Sequence, residues 1–140
     1  MIQHLLLGAL LIIATSIVHL AATRVSVSII KKAKTYSVKQ QRIWNLVWLD
    51  AIVIMMILAS IAEATIWAGC YVWLGAIEQL EAAVYFSIVT YTTLGYGDIT
   101  LSTDWRFLAS LEAASGIIFF GWTTAIVMGA FQNIYFPKRS

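Results

Sequence analysis

The sequence predicts an all-α membrane protein with three transmembrane helices and a fourth, shorter helix that enters the membrane without crossing it. Three observations carry this prediction. Of the 140 residues, 61% are hydrophobic and only 11% charged, where soluble domains carry about a quarter. Three stretches almost free of charge each reach the roughly 20 residues that a helix needs to span hydrocarbon. The basic residues cluster in one gap and one tail, with Arg106 alone elsewhere.

Ile2 to Ala22 contains no Lys, Arg, Asp or Glu. Trp44 to Trp67 is broken only by Asp50 and Glu63, and Phe107 to Phe131 only by Glu112. In lipid the backbone must satisfy its own hydrogen bonds, so these stretches are helices. The expected division is a first transmembrane helix over 1–23, a basic cytoplasmic loop over 24–43, further spans over 44–68 and 106–132, and a short cytoplasmic tail over 133–140. Leu80 to Tyr91 is apolar but about half a span long. Glu78 and Glu81 stand at its start, where acids favour a helix N-terminus.

Topology follows from the cations. Arg24, Lys31, Lys32, Lys34, Lys39 and Arg42 lie between the first two spans, and Lys138 and Arg139 follow the last. Trp67 to Trp105 has no Lys or Arg. The positive-inside rule therefore places the C-terminus in the cytoplasm and the N-terminus and central region outside, in a plasma or inner cell membrane. Trp44, Trp67, Trp73, Trp105 and Tyr135 fall at interface depths. The start, MIQHLLLG, lacks the positive region of a signal peptide, so a retained helix is expected. His4 and His19 read as interface or packing residues.

The cations lie outside the spans, which argues against a voltage sensor and for a loop that touches anionic headgroups. One cysteine, Cys70, excludes an intrachain disulfide framework and a multi-Cys metal site, and reads as a small apolar residue. A net charge of +2 does not argue for nucleic acid as a partner. No phosphate loop, catalytic triad or metal-ligand cluster is present, so no enzyme and no cofactor is expected. With only 133–140 beyond the last span, no cytoplasmic ligand-binding domain is expected either.

Between the short helix and the last span lies Thr92-Thr93-Leu94-Gly95-Tyr96-Gly97-Asp98. This segment resembles the potassium-channel pore family, whose filter is usually written TVGYG. A dehydrated K⁺ needs close oxygen ligands in place of its water, and rings of backbone carbonyls supply them. Gly95 and Gly97 suit a run of carbonyls facing one axis, because side chains resist the backbone conformations it requires. The resemblance implies that Thr93, Leu94, Gly95, Tyr96 and Gly97 coordinate K⁺, the permeant ion, with the Thr93 hydroxyl as the innermost ring. It places Thr92 at the cavity and Asp98 at the outer mouth, where Asp98 concentrates cations, braces the filter, or does both. Tyr96 is expected in a cuff with Tyr85 and Phe86. The short helix becomes a re-entrant pore helix whose C-terminal end favours a cation near the membrane centre.

Gly116 to Ala125 is similar to the inner helix of two-helix potassium channels. Gly116 is then a bending hinge or, equally, a small residue that allows close packing. Ile117, Phe120, Thr124 and Met128 recur at helical spacing and would line the cavity. The resemblance covers Trp44 to Gln132, a pore domain over 44–132 with outer helix 44–68, pore helix 80–92, filter 93–98 and inner helix 106–132. One motif per chain implies a fourfold homotetramer with three identical subunits, embedded in the lipid bilayer.

Three departures stand out. Leu94 replaces the usual Val or Ile, which bears on kinetics or filter stability. Val89 stands where some bacterial channels carry an acid, and the first span is additional. Glu63 and Glu112 are costly in lipid and need partners. Both are expected beside the pore helix as candidate filter braces, Glu112 foremost, or else in a structural hydrogen bond, and Asp50 with Arg24 or Arg42. The implied function is passive, selective K⁺ conduction. Its rivals are a weakly selective cation channel or transporter subunit, and a non-conducting membrane partner or scaffold. The intact GYG and the lack of internal repeats speak against the first.

Overall fold

The computed structural model describes residues 2–33 and 38–136. Four helices follow in order: α1 (Ile2–Ala33), α2 (Val38–Trp73), α3 (Leu80–Tyr91) and α4 (Arg106–Tyr135). No strand occurs among the described residues. Helices α1, α2 and α4 are each long and apolar enough to cross a membrane, and α3 is a shorter apolar helix. The 12 residues of α3 reach about 18 Å, roughly half a bilayer core, and the 30 residues of α4 about 45 Å. The fold is an all-α, multi-pass membrane architecture.

The helices run past the stretches that hydropathy marks. Segment 24–43, expected as a loop, is helical over 24–33 and 38–43. Helix α2 continues to Trp73 rather than 68, and α4 to Tyr135 rather than 132, while Thr92 caps α3 instead of ending it. Hydropathy reports where lipid ends, whereas a helix ends where its backbone bonds are broken or redirected. No Gly or Pro interrupts 24–33 or 38–43. Lys34, Lys138 and Arg139 lie outside the described residues.

Side-chain pairs fix the helix directions. Ser26 pairs with Met56 and His19 with Glu63, so α1 and α2 are antiparallel. Tyr71 bonds Glu112 while Ile52 clusters with Ala130, so α4 is antiparallel to α2. Helix α1 packs against α2 and α4 but not against α3. Its buried positions, Leu11, Thr15, His19 and Ser26, recur at helical spacing on one face. The Thr15 hydroxyl on that face donates to the Leu11 carbonyl at 2.9 Å. Exposed Leu6, Leu10, Ile13 and Ile17 cover the opposite face with apolar surface, as suits a helix solvated by lipid tails.

Two buried clusters result. One joins Leu11, Ala64, Trp67, Tyr71, Phe86, Tyr91, Leu108 and Phe119 around α3, and the other joins Ile52, Met56 and Ala130 at the far end.

Candidate functional site

The loop after α3 is organised by the last turn of that helix. A helix leaves its final carbonyls without intrahelical partners. Here the N–H of Thr92 donates to Ile88 and that of Thr93 to Thr90, while Leu94 and Gly95 both donate to the carbonyl of Val89 at 3.0 and 3.2 Å. Each peptide is trans, so its carbonyl points opposite its N–H. The carbonyls of Thr93 and Leu94 share peptides with the amides turned onto Val89. They therefore face away from α3.

Backbone handedness alternates through the same residues. Thr93, Gly95 and Gly97 have φ of 59°, 57° and 79°, whereas Leu94 and Tyr96 are not positive. Such alternation of positive and non-positive φ turns successive peptides toward a common side, as in backbone nests. Glycine adopts positive φ at no steric cost. Thr93 is β-branched and does so only at a cost of about 1–3 kcal/mol, which the surrounding bonds must overcome. The motif marked Thr93 for its hydroxyl; its strained backbone carried no signal in composition.

Asp98 closes the loop. The Tyr85 hydroxyl donates to its Oδ2 at 2.7 Å, and the Ile99 N–H donates to Oδ1 at 3.1 Å. The Tyr85 hydrogen bond holds the Asp98 carboxyl below its usual range. The three-residue aromatic cuff does not form within one chain. Tyr96 is exposed, Tyr85 turns to Asp98, and Phe86 packs edge-on against Tyr71 with centroids 5.4 Å apart. Burying Phe86 in the core offers more apolar contact than a place beside an exposed tyrosine.

Helix α4 runs unbroken through Gly116, which is buried. A methyl there would overlap the Tyr91 carbonyl oxygen and lie 2.9 Å from its carbon. The glycine thus lets α4 sit directly on the end of α3, which is the packing role of the two expected. Ile117, Thr124 and Met128 are exposed along α4, with the Thr124 hydroxyl on the Phe120 carbonyl at 2.8 Å. Phe120, at helical spacing between Ile117 and Thr124, is half-buried and meets the Tyr91 ring at 5.9 Å. Thr92 is exposed, and its hydroxyl donates to the Ile88 carbonyl at 2.7 Å.

Both buried acids have partners beside α3. Glu112 accepts from Tyr71 at 2.7 Å, and the Ser87 hydroxyl of α3 faces the same carboxyl short of hydrogen-bonding geometry. Its bond goes to α2 and its neighbour is α3; no described bond joins it to residues 93–98. Glu63 accepts from Tyr91, the last residue of α3, and its other oxygen lies 2.9 Å from His19 Nδ1. His19 stacks on Phe119 at 4.9 Å and meets Trp122 edge-on at 5.2 Å. Sequence reasoning did not pair His19 with Glu63. The available signal was its position, an imidazole in a span that holds no Lys, Arg, Asp or Glu and whose other imidazole, His4, lies at its very start. Asp50 is exposed, no described ion pair joins it to Arg24, and the Arg42 side chain lies outside the described residues. Near the end of a span, headgroups and water are within reach of an exposed acid.

No curated protein and no solved structure matches the chain. A family model described as an ion channel matches residues 55–133, more than half of the chain, covering about half of α2, all of α3, the 92–98 loop and most of α4. With a half-span helix, a carbonyl-presenting loop and a following span within that match, the chain belongs to the ion channel family, in its two-transmembrane pore class.

Proposed function

We propose that the protein is the subunit of a homotetrameric, potassium-selective channel that conducts K⁺ passively through the TLGYG segment. Four copies of Thr93 to Gly97 surround one axis, and the carbonyls that face away from α3 replace the water around a dehydrated K⁺. The observation that carries this reading is the alternating φ of residues 93–97, together with the two amides turned back onto Val89. One strand cannot encircle an ion, so a closed ring of identical chains follows.

In this reading α2, α3 and α4 form the pore domain, and α1 is an addition at its periphery. Asp98 rims the outer mouth, anchored by Tyr85. Ile117, Thr124 and Met128 face the cavity, and Thr92 stands at its upper edge. The basic segment 24–43 lies on the cytoplasmic side of a cell membrane, with the N-terminus outside.

The test is reversal potential after reconstitution under opposed K⁺ and Na⁺ gradients. The expected value follows the K⁺ gradient. A potential that ignores K⁺ would overturn the reading, and equal response to both ions would leave a weakly selective cation channel.

A further inference from the structure

Helix α1 does not pack against the pore helix, yet one carboxylate joins the two. Glu63 on α2 is fully buried and offers one oxygen to each side: His19 of α1 on Oε1, Tyr91 of α3 on Oε2. His19 is itself fully buried and clamped between Phe119 and Trp122 of α4. Tyr91 is held at three points, by its hydroxyl on Glu63, its ring on Phe120 and its carbonyl against Gly116. It immediately precedes Thr92 and Thr93, so its placement sets where the loop begins.

We propose that His19 is a positioning residue for the pore: by orienting the Glu63 carboxylate it holds Tyr91, and through it the inner end of the 93–97 segment. Without the imidazole, Glu63 keeps one donor for two buried oxygens, and its carboxyl is free to rotate. Tyr91 then loses a fixed acceptor, and Thr93, already in a strained backbone conformation, loses part of what over-determines it. The pair has a strong geometric reason to persist. A buried carboxylate is tolerated only when paired and hydrogen-bonded, and each oxygen here has one such partner. The inference assigns α1 a task, and it rests on the channel reading above.

The experiment uses the full chain reconstituted in planar bilayers, with oligomeric state checked by size exclusion. Two singles, His19→Leu and Tyr91→Phe, are each expected to shorten the mean open time about tenfold, equivalent to about 1.4 kcal/mol. The double variant is expected to be no worse than either single, because both cut the same chain of contacts. His19→Asn, which keeps a donor at the Nδ1 position, restores the parent behaviour, whereas His19→Gln, which reaches past it, does not. A conducting parent whose gating is indifferent to His19→Leu overturns the inference alone. A silent parent overturns the channel reading with it. Should His19→Leu fail to assemble, the Asn and Gln variants decide: equal behaviour of the two refutes the role.

Discussion

Gly116→Ala tests how α4 meets α3. The added methyl would overlap the Tyr91 carbonyl oxygen and lie 2.9 Å from its carbon and 3.3 Å from its Cα. Ordinary carbon contacts sit at about 3.5–4.0 Å, so one element must retreat by roughly 1 Å. All three atoms belong to backbone at the end of α3, where the chain is held by the amides of Thr92 to Gly95, so no side chain can swing aside. Overpacking costs about 1–3 kcal/mol and replacing a helical glycine with alanine returns about 0.5–1 kcal/mol, leaving a net loss of about 2 kcal/mol at this rigid contact. Thermal melting of the purified protein in detergent reads the loss. Gly69→Ala is the control, because a methyl there meets nothing within 4 Å. The control should melt at or slightly above the parent, and Gly116→Ala several degrees below it. A Gly116→Ala protein as stable as the parent refutes the direct seating of α4 on Tyr91 and returns Gly116 to the role of a hinge.

Other predictions follow from single contacts. Tyr71→Phe removes the donor to Glu112 Oε2 while Oε1 already lacks a partner, and should cost about 1–3 kcal/mol in the same melting assay. Asp98, held low by Tyr85, supports the native loop above the ordinary carboxyl range and loses that support as pH falls through its lowered value. Tyr85→Phe should therefore move the acid half-point of unitary conductance upward, and an unmoved half-point would count against the contact. Gly97→Ala places a side chain at φ 79°, a left-handed conformation that costs about 1–2 kcal/mol. If the proposed tetrameric K⁺ channel is right, the oligomer should still form while K⁺ current is lost; an unchanged K⁺ to Na⁺ permeability ratio would speak against coordination at this residue.

The three spans were legible because hydropathy is a sum over neighbours. Ile2 to Ala22 needs no partner to be recognised as a helix in lipid, and the half-length of Leu80 to Tyr91 is counted directly. The TTLGYGD segment was legible as a pattern of residue types. Helix ends were less so, since residues 24–33 carry three cations and still continue the helix. Asp50 is exposed and makes no described ion pair with Arg24, while its other expected partner, the Arg42 side chain, lies outside the described residues.

What the sequence by itself determined is the class: three helices that span, one that does not, and a glycine-punctuated loop between them. Tertiary structure alone decided that Glu63 meets His19 and Tyr91, that Glu112 meets Tyr71, that Gly116 seats on a carbonyl, and that Thr93 carries a positive φ. The reason is geometric. Stripes of Leu, Ile and Val leave helix rotation and register nearly degenerate in lipid, where apolar burial drives no association between spans. A histidine and a glutamate 44 positions apart find each other only once that rotation and register are set. The acids that are costly in lipid are therefore also the groups whose partners the linear sequence could not name.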